Sequence, residues 1–342
     1  MIILGVESTC DETAAAVVKD GHVILSNVVA SQVDLHAAFG GVVPEVAARS
    51  HIEVILPVID SAIEKAGVSI EDIDGIAVAN GPGLIGSLLI GNLAARTLSM
   101  LLNKPLYLIN HVEAHTYASF LNGEDPQLPL LSLTVSGGHT QLVLFEDHGE
   151  YKVLGRTHDD AVGEAFDKVA KILGLPYPGG PSIAAAAEKG DPSAFKLPVP
   201  NLGKESLDFS FSGLKTAVLR AAQTAAGRDF RTPSYEVPGL LTDQQKNDLA
   251  ASFQETAVNI LYSRVKAAAE KYNPKAIAIG GGVAANQSLR AKMADIPGLL
   301  PYPSIELCTD NAAMIAALGC FHAKTQKTAS PLDAKVDPVL SM

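Results

Sequence analysis

One pattern occurs twice in this chain and leaves few folds open to it. Met1 to Val6 is an apolar run; the polar loop Glu7-Ser8-Thr9-Cys10-Asp11-Glu12-Thr13 follows, then Ala14 to Val18, a turn at Lys19-Asp20-Gly21, and Val23 to Val29. The same order returns as Leu130 to Val135, the loop Ser136-Gly137-Gly138-His139-Thr140, Gln141 to Phe145, a turn ending at Gly149, and Tyr151 to Leu154. Each copy reads as strand, loop, strand, turn, strand. Each half then reaches a further strand with a glycine-rich end and a helix: Ile76 to Ala79 with Gly81-Pro82-Gly83, and Ala276 to Ile279 with Gly280-Gly281-Gly282. Two alternating α/β lobes around a cleft follow from this. Residues 1–110 form the expected first lobe, and 111–310 the second. A helix over about 311–323 is expected to pack back near the cleft.

Apolar periodicity predicts further helices over roughly Pro44 to Ala66, Val162 to Leu173 and Leu249 to Lys271. Gly227 to Leu241, with scattered proline, glycine and charge, reads as a loop or insertion. The polar tail 324–342 reads as an irregular arm. Gly75 to Ala95 carries no charge and is long enough to span a bilayer, but Asn80-Gly81-Pro82-Gly83 breaks it, so strand, turn and buried helix are expected and no membrane partner.

Charge limits the partners. A net charge of -11 argues against coating nucleic acid through bulk charge, so an RNA partner must meet a local basic patch. Cys10, Cys308 and Cys320 are isolated and include no CxxC pair, which disfavours disulfides and a cysteine-built zinc site and fits a reducing cytoplasm.

Three features carry possible chemistry. In Asn110-His111-Val112-Glu113-Ala114-His115, Asn110 reads as an N-cap and Glu113 as its capping-box partner. The two histidines, four apart, share a helical face and can chelate one divalent ion, although ordinary helix histidines remain an open reading. A zincin glutamate would stand at Val112; Glu113 lies about 200° round the helix from either histidine and cannot act as its base. Second, Gly81-Pro82-Gly83-Leu84-Ile85-Gly86 matches GxGxxG, but no acidic residue follows before Glu113, so a tight turn and close helix packing are expected instead of a dinucleotide site. Third, the two duplicated loops can cradle a phosphate, with hairpin turns as the bland alternative. No P-loop motif and no nucleophile elbow is present. Taken alone, Asp167 is a solvated helix carboxylate beside Lys171, Gly179-Gly180-Pro181 a turn, and Asp310 an N-cap or a third metal ligand.

Ten ordered segments resemble one family end to end: Gly5 to Thr13, His36 to Arg49, Gly81 to Gly86, His111 to His115, Val135 to Gln141, Gly163 to Ala170, Tyr177 to Pro181, Asp208 to Lys215, Gly280 to Asn286 and Cys308 to Asn311. It is the TsaD family, once described as O-sialoglycoprotein endopeptidases, and the resemblance runs to about Ala323. It implies a duplicated actin/Hsp70/sugar-kinase-like (ASKHA) α/β fold with a central nucleotide cleft. The implied enzyme is a tRNA N6-adenosine threonylcarbamoyltransferase. It would pass the threonylcarbamoyl group of threonylcarbamoyl-AMP to N6 of the adenosine just 3′ of the anticodon, releasing AMP.

Carried over by position, His111, His115 and Asp310 would hold one divalent ion, iron or zinc. Thr134, Val135, Ser136, Gly137 and Gly138, with Asp167, Gly180 and Asn286, would hold the adenylate, and Asp11 and Glu12 would be catalytic. Thr134 stands where relatives vary, so its contact would come from the backbone. Arg49, Lys168, Lys215, Lys324 and Lys327 are candidates for tRNA contact. The implied partners are a degenerate paralogue of the same fold (TsaB-like), a small P-loop ATPase (TsaE-like) and a separate threonylcarbamoyl-AMP synthase. Two other readings stand beside this one: a metalloendopeptidase, and a non-catalytic nucleotide-binding scaffold.

Overall fold

A computed structural model of the chain describes residues 1–342 apart from Asn122, Glu124, Pro126 and Lys204. It begins with strands β1 (Ile2–Glu7), β2 (Glu12–Lys19) and β3 (Val23–Ser31), helices α1 (Val33–Ala37) and α2 (Pro44–Ala66), β4 (Gly75–Gly81), α3 (Ile85–Leu102), β5 (Leu106–Asn110) and α4 (His111–Tyr117). Next come β6 (Leu130–Val135), β7 (Thr140–Asp147), β8 (Glu150–Arg156), α5 (Val162–Leu173), α6 (Gly179–Ala187), α7 (Ser212–Ala225), α8 (Asp243–Tyr272), β9 (Ala276–Gly280) and α9 (Gln287–Met293). Helices α10 (Ile305–Cys308) and α11 (Ala312–Lys324) follow.

The chain divides into two compact units, Met1–Pro126 with Pro301–Met342, and Gln127–Leu300. The division falls later than the expected 110 and earlier than the expected 310. Helix α4 packs against α11, β4 and β5, which keeps it with the first sheet.

In the first unit the strand order is β3-β2-β1-β4-β5, with β1 antiparallel to β2 and parallel to β4. The second unit has the order β8-β7-β6-β9, with β6 antiparallel to β7 and parallel to β9. Strands β3-β2-β1-β4 and β8-β7-β6-β9 therefore repeat one topology, the duplication expected from the sequence.

β1 reads as a continuous apolar run because both of its faces are covered. Leu4 and Val6 join a core with Ile55, Val58 and Ile59 of α2 and Ala95 of α3. The alternate positions face α11: a Cβ on Gly5 would lie 2.4 Å from the Ala312 carbonyl oxygen, and one on Gly319 would lie 2.6 Å from the Ala77 Cβ. Helix α2 has the expected bounds, with Pro44 in its first turn and Gly67 at φ 66 behind its last. Helix α8 begins earlier than Leu249, because Thr242 and Gln245 form a capping box that extends it by a polar first turn.

Two expectations change. Helix α3 buries Ser87, Leu88, Gly91, Asn92, Ala95 and Ser99, but leaves Ile85, Leu89, Leu93 and Leu101 exposed, so only one side of it is core. Among the described residues it is the one helix long and apolar enough to cross a membrane by length and composition. The tail is irregular, as expected, yet it is tied down. Arg96 donates to the carbonyls of Pro331 and Leu332, Asp337 N to Asn80 O (2.9 Å), and Gly83 N to Pro338 O (3.2 Å).

Candidate functional site

The first unit gathers its polar groups where β5 meets α4. Asn110 Oδ1 accepts the amides of Val112 (2.9 Å) and Glu113 (3.1 Å), which starts the helix at His111. His111 and His115 are then one turn apart, with ring centroids 4.8 Å apart and planes at 78°. Asp310 Oδ1 stands 3.6 Å from His111 Nε2 and 3.4 Å from His115 Nε2. The donor atoms of all three residues lie within 4.8 Å of one another.

Local caps decide which groups are free to meet there. Asn311, rather than Asp310, caps α11, its Oδ1 accepting from Met314 N at 3.1 Å. Asp310 does not cap that helix, and its Oδ1 reaches both histidines. Glu113 does not form the expected capping box. It is buried, Oε1 has no hydrogen-bond partner among the described residues, and burial, opposed by Lys327, pushes the carboxyl up to about 7.

A cation fits these donors. His115 is 1% exposed, and among the described residues neither ring nitrogen has a hydrogen-bond partner. Leaving buried polar atoms unpaired costs about 1–3 kcal/mol each, a cost that coordination removes. Two imidazoles and one carboxylate are an open donor set for a divalent ion, and the cluster is compatible with one metal site.

The loop after β1 lies beside this cluster. Glu7 Oε2 is 2.8 Å from His111 Nδ1, and its Oε1 accepts from Thr9 N at 2.6 Å. Burial alone would lower His111, but Glu7 and then Asp310 outweigh it and raise the imidazole to about 9. His51 on α2 donates from Nε2 to the Cys10 carbonyl (3.0 Å), and its Nδ1 accepts from the Thr13 hydroxyl (2.7 Å); Ser87 on α3 also donates to Cys10 O (3.3 Å). These contacts pin the backbone that carries Asp11 and Glu12. Burial, then Asp310 and Asp11, push Glu12 well above the usual carboxylate range. The glycines of Gly81 to Gly86 serve this loop by close packing: a Cβ on Gly83 would lie 2.6 Å from Thr9 O.

The second unit gathers its candidates around the ends of the parallel strands β6 and β9. Thr134 pairs with Gly280, and a Cβ on Gly281 would lie 2.3 Å from Val135 O. Thr134 is buried. Ser136 closes the loop on His139 (Ser136 N to His139 O, 2.9 Å; His139 N to Ser136 Oγ, 3.1 Å), while Gly137 and Gly138 have open space where a Cβ would stand. Gly163 lets the start of α5 approach, since a Cβ there would lie 2.5 Å from Ser136 O.

Asp167 is no free carboxylate. Its Oδ1 accepts from Gly179 N at 2.7 Å, which turns the Gly179-Gly180-Pro181 segment, expected as a turn, into the start of α6. Asn286 caps α9 through Leu289 N (3.0 Å) and donates to Gln254 (2.8 Å).

The structure ties down most of the lysines picked as RNA contacts. Lys168 pairs with Asp160 (2.7 Å) and Glu164 (2.8 Å), Lys215 lies 3.6 Å from Asp160, and Lys324 lies over the Phe321 ring at 4.4 Å. Arg49 is exposed. One residue escaped the sequence reading: Glu7, whose signal was a carboxylate ending an otherwise apolar strand.

The chain is similar to known proteins over most of its length. A family model described as TsaD, tRNA N6-adenosine threonylcarbamoyltransferase, matches residues 23–317. A protein of that name from Thermomicrobium roseum is 52% identical over 340 residues, covering 95% of this chain and 92% of the relative. One from Symbiobacterium thermophilum is 53% identical over 325 residues, covering 94% and 91%. Among solved structures, the (R)-2-hydroxyglutaryl-CoA dehydratase component A of Acidaminococcus fermentans aligns with a TM-score of 0.52 at 15% identity, covering 95% of this chain and 99% of that one. That likeness speaks to the fold alone, the duplicated α/β fold of the actin/Hsp70/sugar-kinase class. With the family model and both relatives in agreement, this chain belongs to the TsaD family.

Proposed function

We propose that this protein transfers the threonylcarbamoyl group of threonylcarbamoyl-AMP to N6 of the adenosine just 3′ of the anticodon, releasing AMP. The observation that carries this reading is the meeting of His111, His115 and Asp310 in a chain of this family. These three residues would hold one ion, iron or zinc. Bound there, a divalent ion supplies Lewis-acid polarisation of a carbonyl oxygen.

The chain's own residues supply the rest. Gly137 and Gly138 would offer backbone amides to the adenylate phosphate, while Ser136, whose own amide is held by His139 O, and the crowding of Gly163 on it hold that loop in shape. Thr134 and Val135 contribute backbone, while Asp167, Gly180 and Asn286 line the nucleoside side. The adenine N6 amine attacks the carbamoyl carbon, the carbon–oxygen bond to phosphate breaks, and one N6 proton passes to a carboxylate of the first loop. An exocyclic amine is a poor nucleophile, so positioning and a proton acceptor help most. Glu12, with its raised pKa, is a stronger base than an ordinary carboxylate once it has lost its own proton, and Asp11 stands next to it. Turning an unpaired anticodon-loop base out of its stack costs about a few kcal/mol or less.

The partners fit an enzyme that works in the cytoplasm. Ile52 and Leu56 of α2 and Ile85, Leu89 and Leu93 of α3 are exposed on two helices that touch at Ala48 and Gly86. A subunit of the same fold, the TsaB-like paralogue, would cover them. The TsaE-like ATPase would act on that assembly, and a separate synthase would supply the adenylate. A metalloendopeptidase is disfavoured, because Glu113 lies outside the metal cluster.

The test is reconstitution with synthase, threonine, bicarbonate, ATP, partners and unmodified tRNA, read by nucleoside mass spectrometry. The modified nucleoside forms with the wild-type chain and is lost with His111→Ala or Asp310→Ala. Its formation at wild-type levels with either variant sinks the metal assignment. Its absence under every partner combination sinks the function.

A further inference from the structure

We propose that Glu7 is the positioning residue of the metal site: it fixes the tautomer of His111 that leaves Nε2 free for the ion. The proposal rests on the metal reading above. Glu7 is the last residue of β1, and the residue is 0% exposed, so no water competes for its oxygens. Both oxygens are taken by nitrogen. Oε1 accepts the Thr9 amide at 2.6 Å, and Oε2 stands 2.8 Å from His111 Nδ1. A carboxylate oxygen accepts, so Nδ1 donates the proton of this contact, and Nε2 is the nitrogen left to turn its lone pair to an ion. That nitrogen is the one facing Asp310, at 3.6 Å.

The Thr9 hydroxyl, 3.4 Å from the same Nδ1, is a longer and uncharged contact and does not compete. Among the described residues His115 has no hydrogen-bond partner on either nitrogen, so the contact that orients a ring in this pair is the one Glu7 makes to His111.

Replacing Glu7 by glutamine separates this role from packing. A glutamine has one acceptor oxygen where Glu7 uses two. The Thr9 amide is fixed in the backbone and claims that oxygen, which turns the amide NH2 towards His111 Nδ1. The imidazole then carries its proton on Nε2, where it blocks the ion.

The experiment uses the full chain, stripped of metal and titrated with Zn2+ or Co2+ against a chromophoric chelator. Glu7→Gln should bind about 10–100-fold more weakly than wild type, with an altered Co2+ absorption spectrum and a metal-free melting temperature close to wild type. Wild-type affinity and spectrum in Glu7→Gln overturn the inference and leave the metal reading standing. A wild-type chain that takes up no metal overturns both. A second measurement needs no variant: with 15N-labelled histidine in the zinc-loaded wild type, His111 should show its proton on Nδ1 and zinc on Nε2. Zinc on Nδ1 overturns the inference.

Discussion

Gly5 on β1 lies so close to Ala312 on α11 that a Cβ at position 5 would stand 2.4 Å from the Ala312 carbonyl oxygen and 2.7 Å from Ala316 N. Asp310 is two residues before that helix. The seat of α11 on the strand therefore sets where the carboxylate meets the two histidines. Gly5→Ala should push the helix off the sheet, costing about 1–3 kcal/mol by overpacking and weakening metal binding. Urea denaturation and chelator competition on the same preparation test this. Unchanged metal affinity in a destabilised Gly5→Ala protein would show that Asp310 is placed independently of the strand.

Asp159 accepts from Phe211 N (2.8 Å), Ser212 N (3.2 Å) and the hydroxyls of Ser210 and Ser212, so it caps α7 from a distant loop. Burial opposes ionisation, but these hydrogen bonds outweigh it and hold the carboxyl down at about 2, against an ordinary 3.8. A folded-state pKa below the unfolded one stabilises above the unfolded value, and that stability is lost as pH falls through the folded value. Asp159→Ala should cost about 1 kcal/mol at pH 7, the usual worth of a cap, since the group is solvent-screened. The difference should shrink between pH 4 and pH 2. Denaturation curves at three pH values read it, and a gap that stays constant down to pH 2 rules out the ionised carboxylate as the cause.

If Glu12 takes the N6 proton, its raised pKa places the acid limb of kcat/KM above the ordinary carboxylate range, because the base must be ionised to act. Activity should rise with pH through that limb, and Glu12→Gln should abolish the limb together with most of the rate. An unaltered profile in Glu12→Gln passes the role to Asp11.

Leu93 is 63% exposed, so Leu93→Asp should change the chain's own stability by no more than about 0.5 kcal/mol. It should weaken association with the paralogue about tenfold or more, because a charge would be buried in the interface. Light scattering of the mixed subunits tests this; wild-type association by Leu93→Asp places the partner on another face.

The amino-acid sequence by itself determined the duplicated strand pattern, the bounds of α2 and α5, and the two histidines on one face of α4. All of these rest on local periodicity and capping, which neighbouring residues settle. Even there, choices between adjacent residues escaped it. Asn311 caps α11 where Asp310 also qualified, and Glu113 turned from the helix end into a buried place beside Lys327. Tertiary structure alone decided what the sites contain. It brought Asp310 to the histidines through the seat of α11 on Gly5, and it set Glu7, at the end of β1, against His111, which follows β5 on the far side of β4. It also gave Asp167 the amide of Gly179 and spent Lys168 and Lys215 on Asp160. The physical reason is that a carboxylate's partner is whichever donor the packed backbone brings within about 3 Å. Sequence spacing carries no record of that distance once the chain has folded back on itself.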